Sequence, residues 1–213
     1  MRYTVFGATG GTGQQLVRQA LDAGHEVTAV VRNPDRLPER EHERLTVAVV
    51  ADVTDAAALR PVVAGRDAVL SGLGAPNNKA AGIASAGARA ILEALDAEGV
   101  RRYVAVSAAP VGPLPEGEGL LYRAVVWPLV GRVFKDVYAD LGVMEREIRA
   151  SATDWTLVRP PRLTDGPRTG AYRTTIGGAV PRGHEVSRAD LAHAILTAVD
   201  DPQTVRQVIG VAN

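Results

Sequence analysis

The heptapeptide Gly7-Ala8-Thr9-Gly10-Gly11-Thr12-Gly13 constrains this chain more than any other feature, because of what flanks it. Tyr3–Phe6 before it reads as a short strand, and Gly13–Ala23 after it places Leu16, Val17, Ala20 and Leu21 on one helical face. Glycines at this spacing between a strand and a helix each have a separate physical use. Gly7 permits the tight turn out of the strand. Gly10 lets backbone approach a pyrophosphate with no Cβ in the way, and Gly13 lets helix and sheet pack closely. Free N–H groups at the helix N-terminus then receive the phosphate. In that setting the loop predicts dinucleotide binding; a purely structural turn is the competing reading.

The rhythm continues through the first half. Strands are predicted at Glu26–Val31, Leu45–Val50, Ala68–Leu73 and Tyr103–Ser107, alternating with helices at Asp55–Val63 and Gly82–Gly99. Glu26–Val31 is nearly all apolar, as a strand covered on both faces must be. The pattern predicts an α/β fold: a Rossmann-type doubly wound parallel sheet with helices on both faces. Beyond residue 109 the alternation breaks. Residues 110–119 form a Pro/Gly-rich loop, and 120–134 are apolar and interrupted at Pro128. Val137–Ser151 is a helix and Trp155–Arg159 a strand, followed by a long, irregular Pro/Gly/Arg-rich insertion at 160–185 with short extended pieces. Ser187 caps a last helix at Arg188–Val199, with Asp190 at the favourable end of its dipole, and Gln207–Val211 is a final strand. The 213 residues are expected to make one domain. Residues 1–109 would be its dinucleotide-binding core and 110–213 its substrate side, since ligands in such sheets sit beyond the strand C-termini.

Composition removes several function classes. Lys+Arg 24 against Asp+Glu 24 gives zero net charge, which argues against nucleic acid or an acidic membrane as partner. Cysteine is absent, so disulfides, thiolate zinc sites and cysteine nucleophiles are excluded. The four histidines lack ligand spacing, so no metal is expected. No apolar run reaches membrane-spanning length, and MRYTVFGATG has no export pattern. A cytoplasmic protein with a small-molecule substrate is expected, as a monomer or weak dimer.

The second strand bears on cofactor choice. A carboxylate at its end would accept a ribose 2′-hydroxyl and point to NAD. Here Val31 is followed by Arg32, whose guanidinium suits a 2′-phosphate or stacks on adenine, so NADPH/NADP is expected ahead of NAD. A solvated loop arginine is the alternative. Asp52-Val53 fits an adenine-edge contact or, equally, a loop or helix-capping aspartate. The Tyr-x-x-x-Lys pair of ordinary carbonyl reductases is missing. The lysines are Lys79 and Lys135; Tyr138 meets Gly142 at that spacing, and Tyr122 meets Val126. A flavin can accept hydride at a ring nitrogen and take its remaining proton from water, leaving orientation as the enzyme's contribution. Trp127, Pro161, Arg162 and Tyr172 are candidate walls of such a site, with packing or surface roles as the competing reading of each, and Ser107 is either a nicotinamide contact or a strand-end hydroxyl bonding backbone.

The glycine loop, the arginine after the second strand and Asp52-Val53 together resemble the atypical short-chain dehydrogenase/reductase superfamily. DWTLVRPPRLTDGPRTGAYR (154–173) with VSRADLAHAIL (186–196) is similar to the NAD(P)H-binding, NmrA-like group, nearest the biliverdin-reductase-B/flavin-reductase type. The resemblance spans essentially the whole chain. It implies a phosphate loop of Gly7, Ala8, Thr9, Gly10, Gly11, Thr12 and Gly13, with Arg32 on the 2′-phosphate and Asp52 and Val53 flanking adenine. Leu73 and Gly74 would line the ribose side. Ser107 would lie near the nicotinamide, with Pro160, Pro161 and Arg162 as its other wall; Ser107 and Arg162 are the candidate catalytic residues. In the flavin-reductase relatives a histidine follows the two prolines. Here it is Arg162, so their substrate recognition need not carry over. The implied function is NADPH-dependent reduction of a flavin, quinone or similar planar acceptor. The alternative within the group is a nucleotide-sensing protein with little turnover, its partner surface at 120–134.

Overall fold

Strand β2 (Glu26–Val31) and strand β4 (Ala68–Ser71) are buried along almost their whole length, a condition only interior strands of a covered sheet meet. The structure, a computed structural model, describes residues 1–38, 41–74, 82–114 and 117–213. Strand β1 (Arg2–Phe6) pairs in parallel with both, Val5 lying opposite Ala29 on one side and Leu70 on the other. Beyond β2 lies β3 (Leu45–Val49). Beyond β4 follow β5 (Arg102–Val106), β6 (Asp154–Arg159) and the C-terminal strand β10 (Gln207–Ala212). The eight-stranded order is β3-β2-β1-β4-β5-β6-β10-β8, and only the edge strand β8 (Arg173–Ile176) runs antiparallel. The fold is the expected α/β Rossmann-like arrangement. Chain growth reverses between β1 and β4, which opens a crevice at their C-terminal ends.

The pleat sends alternate residues to opposite faces. Tyr3, Val5, Ala29 and Val31 share one core with α1 (Gly11–Asp22) and α6 (Arg188–Asp200). Phe6 and Val30 belong to the other, with α2 (Ala56–Val63), α3 (Ile83–Ala97) and α5 (Lys135–Ala150). Arg102 locks the first layer in place. Its guanidinium donates to the carbonyls of Ala198 (2.6 Å), Val199 (3.0 Å) and Asp154 (2.7 Å), and to the hydroxyls of Thr156 (2.9 Å) and Thr204 (3.0 Å). Two of those carbonyls are in the last turn of α6, where no intrahelical donor remains.

Several boundaries differ from the expectation. α1 begins at Gly11 instead of Gly13, because Gly10 serves as its N-cap. The apolar 120–134 stretch divides into a π-helical turn at Tyr122–Val126 and helix α4 (Trp127–Val133). Pro128 falls in the first turn of α4, where a missing N–H is tolerated. The short extended pieces expected in the 160–185 insertion are short strands. The insertion holds β8, and also β7 (Arg162–Thr164), which pairs in parallel with β9 (Glu185–Ser187). Asp190 explains part of that order. Fully buried, it accepts from Thr169 N, Thr169 Oγ1 and Gly170 N, each at 2.8 Å, tying the insertion to α6. Lys79 lies outside the described residues.

Candidate functional site

A cleft of about 840 Å³ occupies the crevice where the sheet reverses. Its floor is the turn between β1 and α1, held by a Gly10 N to Gly7 O bond (2.9 Å) and by Gln14 Nε2 donating to Thr9 O (3.0 Å). The glycines divide their tasks as the physics requires. Gly7 sits at φ +71°, and a Cβ there would lie 2.7 Å from Gly72 O. A Cβ at Gly13 would lie 2.1 Å from Gly7 O, so this glycine lets the helix meet the loop. Gly10 has ordinary extended backbone (φ −79°), and its missing Cβ would meet only Gly7 O, at 3.3 Å. What Gly10 leaves open is cleft. No side chain caps α1, so the orphan N–H groups of its first turn are left for a ligand.

The expected residues divide into two groups. Gly7, Thr9, Gly10, Gly11, Thr12, Arg32, Asp52, Val53, Leu73 and Gly74 line the cleft. Ala8 and Gly13 are buried in packing instead. Ser107, Pro160, Pro161 and Arg162 stand outside its lining. Asp52 does not cap α2. Its Oδ1 accepts from Thr54 N (2.8 Å) and Thr54 Oγ1 (2.7 Å), which lowers its pKa, while Asp55 is the N-cap. Two arginines escape sequence reasoning. Arg36, in the 3-10 turn Pro34–Arg36, joins Arg32 at the same end of the cleft. Among the described residues neither guanidinium has an intrachain hydrogen bond or ion pair. Arg188, the first residue of α6, crosses Gly11: a Cβ on Gly11 would lie 2.5 Å from Arg188 Cδ. Its Nη1 bonds Asp165 Oδ1 at 2.5 Å.

Ser107, just after β5, belongs to a buried polar network. Its Oγ donates to Glu145 Oε1 (2.7 Å), and Arg159 holds the same carboxylate in a two-pronged grip at 2.8 and 2.5 Å. Burial pushes the Glu145 pKa up. The bonds from Arg159 and Ser107, with the Arg159 charge, outweigh it and hold the carboxyl below its usual range. The Ser107 proton therefore points into the protein, leaving its oxygen free to accept. Arg162 is committed elsewhere: it lies exposed on β7, paired with Glu185 of β9. Pro160 is anchored near Ser107, its carbonyl accepting from Ala109 N (2.8 Å). Tyr172 packs against the α1/α6 core and bonds His193 Nδ1 at 2.7 Å. Tyr138 is half-buried against Phe134, and burial together with Tyr122 raises its phenol pKa.

A nucleotide-sized cleft at the switch point, floored by a glycine turn, is the geometry of a dinucleotide site, and comparison with known proteins agrees. The family model described as NAD(P)H-binding matches residues 7–202. The chain belongs to that family. This NAD(P)H-binding protein is 28% identical over 225 residues to the oxidoreductase ptaF of Pestalotiopsis fici, covering 95% of this chain and 80% of that one. A wide-type short-chain dehydrogenase/reductase of Veillonella parvula, solved in complex with NADP, superposes with a TM-score of 0.82 at 24% identity. The match covers 100% of this chain and 94% of that one. ChuY, an anaerobilin reductase from Escherichia coli O157:H7, superposes at 0.80 with 21% identity, covering 100% and 97%. These two likenesses show the fold. Among the described residues no helix is long and apolar enough to cross a membrane, and no group of His, Asp and Glu is arranged to hold a metal.

Proposed function

We propose that this protein is a cytoplasmic NADPH-dependent oxidoreductase of the atypical short-chain type, passing hydride to a flavin, quinone or similar small planar acceptor. One observation carries the cofactor choice: Arg32 and Arg36 line the cleft beyond β2, and among the described residues neither has an intrachain hydrogen bond or ion pair. Two guanidiniums there fit a dianionic 2′-phosphate better than a plain 2′-hydroxyl, which brings no charge to meet them. The glycine turn and the N-terminus of α1 would hold the pyrophosphate, with Arg188 above Gly11. The nicotinamide supplies a two-electron hydride when bound. Ser107 would accept a hydrogen bond beside it, its direction set by Glu145 and Arg159.

The acceptor class is supported by aromatic pairs in the 120–138 segment of the substrate-side half. Tyr122 is 6.3 Å from Trp127, and Phe134 is 5.8 Å from Tyr138, ring centroid to centroid. Such rings offer stacking faces to a planar molecule. Neither of these tyrosines has a lysine four residues on. The relatives described as oxidoreductase and as reductase point the same way. NADPH oxidation followed at 340 nm (~), across free flavins and quinones, tests the proposal. Acceptor-dependent turnover is the expected result. Tight NADPH binding without turnover on any acceptor would make the protein a nucleotide sensor instead.

A further inference from the structure

The backbone does not explain why residue 11 is glycine. It is the first residue of α1, and its φ lies outside the left-handed region. A Cβ at Gly7 or Gly13 would strike backbone. The three atoms nearest a Cβ at Gly11 all belong to the Arg188 side chain instead: Cδ at 2.5 Å, Nε at 2.8 Å and Cζ at 3.7 Å. The arginine stem lies across the turn, in the space a side chain would fill. Arg188 is also one of the residues lining the cleft.

On structural grounds alone this is a poor place for a cation. Arg188 is the first residue of α6 and crosses the first turn of α1, so it stands at the positive ends of two helices. The first turn of α1 holds no acidic residue, and no side chain caps it. One counter-charge is at hand, since Nη1 donates to Asp165 Oδ1 at 2.5 Å. The Asp165 side chain is 90% exposed, and a pair so open to water returns little stability. Among the described residues this is the one hydrogen bond of a guanidinium that has five donors. A guanidinium and an uncapped helix N-terminus that meet at one cleft are two halves of an anion site.

The substrate-side half delivers this cation on a short ribbon. Strands β7 and β9 pair Arg162 with Glu185, Leu163 with Val186 and Thr164 with Ser187. Asp165 and Arg188 are the next residues on each strand, so their ion pair continues the ladder. Arg162 and Glu185 close the other end with an ion pair of reversed polarity. A one-residue slip would break both pairs, so together they hold the register, and with it the point where Arg188 leaves the ribbon to cross Gly11.

We propose that Arg188 is a binding residue for the pyrophosphate of the dinucleotide and that Gly11 is its positioning residue, bare so that the arginine can be seated; the inference rests on the reading of the glycine turn as the pyrophosphate floor. Pyrophosphate carries negative charge at both phosphates and is common to NADPH and NADH. Arg188 therefore contributes affinity without choosing between the two nucleotides, the reverse of the task given to Arg32 and Arg36.

The test is calorimetric titration with NADPH and with NADH of the wild type, Arg188→Ala, Arg188→Met, Gly11→Ala and the Gly11→Ala/Arg188→Ala double variant, with melting temperatures alongside. Arg188→Ala should weaken both nucleotides by the same factor, about ten- to a hundredfold, the range of a charge-assisted hydrogen bond. Arg188→Met keeps an apolar stem over Gly11 and should match it, which separates lost charge from lost packing. Gly11→Ala pushes on a flexible side chain and should fold, yet it should weaken both nucleotides about tenfold. In the Arg188→Ala background the same substitution should have no further effect, because the side chain it displaces is gone. Unchanged NADPH affinity in Arg188→Ala overturns the proposal, and so does a loss confined to NADPH. An equal loss from Gly11→Ala in both backgrounds overturns the seating role. A wild type that binds neither nucleotide overturns the reading of the glycine turn itself, so the two failures are told apart.

Discussion

The charge of Arg32 and Arg36 sets how strongly the cleft should distinguish NADPH from NADH. Both guanidiniums line the same end, and among the described residues neither has an intrachain partner to lose, so their removal should leave folding untouched. A charge-assisted hydrogen bond contributes about 1.5–3 kcal/mol. Both side chains are exposed, so water and salt hold each contact near the lower figure. Arg32→Ala should then weaken NADPH by about 1.5 kcal/mol, or roughly tenfold. Arg36→Ala should do about the same, and the double variant should lose up to about a hundredfold, less if the two share one phosphate oxygen. NADH affinity should barely change, and raising the salt concentration should shrink the effect. Calorimetric titration of the four proteins with both nucleotides at two salt concentrations provides the measurement. Equal losses for NADPH and NADH would mean that these arginines stack on adenine and do not read the phosphate. Unchanged affinity in the double variant would remove this end of the cleft from the cofactor site altogether.

Gly10→Val should fold, because its backbone is extended and its Cβ would press only on Gly7 O, yet it should lose at least about a hundredfold in NADPH affinity by calorimetry. Glu145, whose folded pKa is depressed, contributes stability that is complete above the ordinary value of 4.5 and is lost as pH falls through the folded one. Urea unfolding between pH 7 and pH 3 (~) should therefore show a steeper decline for the wild type than for Glu145→Gln. At neutral pH, the same variant should be about 3 kcal/mol or more less stable, since Arg159 is left buried without its counter-charge. Asp190→Ala strips three donors of their acceptor and should cost about 2–4 kcal/mol. Amide hydrogen exchange should then quicken at Thr169 and Gly170, and unchanged exchange there would refute the role given to Asp190 in ordering the insertion.

Much of this protein is legible from local sequence because the signals are themselves local. Alternating apolar runs and helical faces mark the strands and helices of the first half, and the parallel sheet follows from their order. The glycine turn is recognisable because one strand end, one turn and one helix start are contiguous in the chain. Arg32 is visible for the same reason, standing directly after its strand. The insertion at 160–185 is where local reasoning thins. Its composition announces short extended pieces in an irregular segment, but not that one would pair with β9 and another with the edge of the sheet at β10. Arg36 could have been found from its closeness to Arg32, one short turn away.

Other parts of the site have no local signal. Arg188 meets Gly11 because α1 and α6 pack side by side over one face of the sheet, which only the strand order decides. Ser107, Glu145 and Arg159 come from a strand end, a helix and the next strand, and each alone is an ordinary residue of its element. Local sequence determined which segments could be strands, helices and a phosphate-binding turn, since those preferences act over a few residues. Which distant charges face one another was settled by tertiary packing, because a buried carboxylate must find its donors wherever the sheet order brings them.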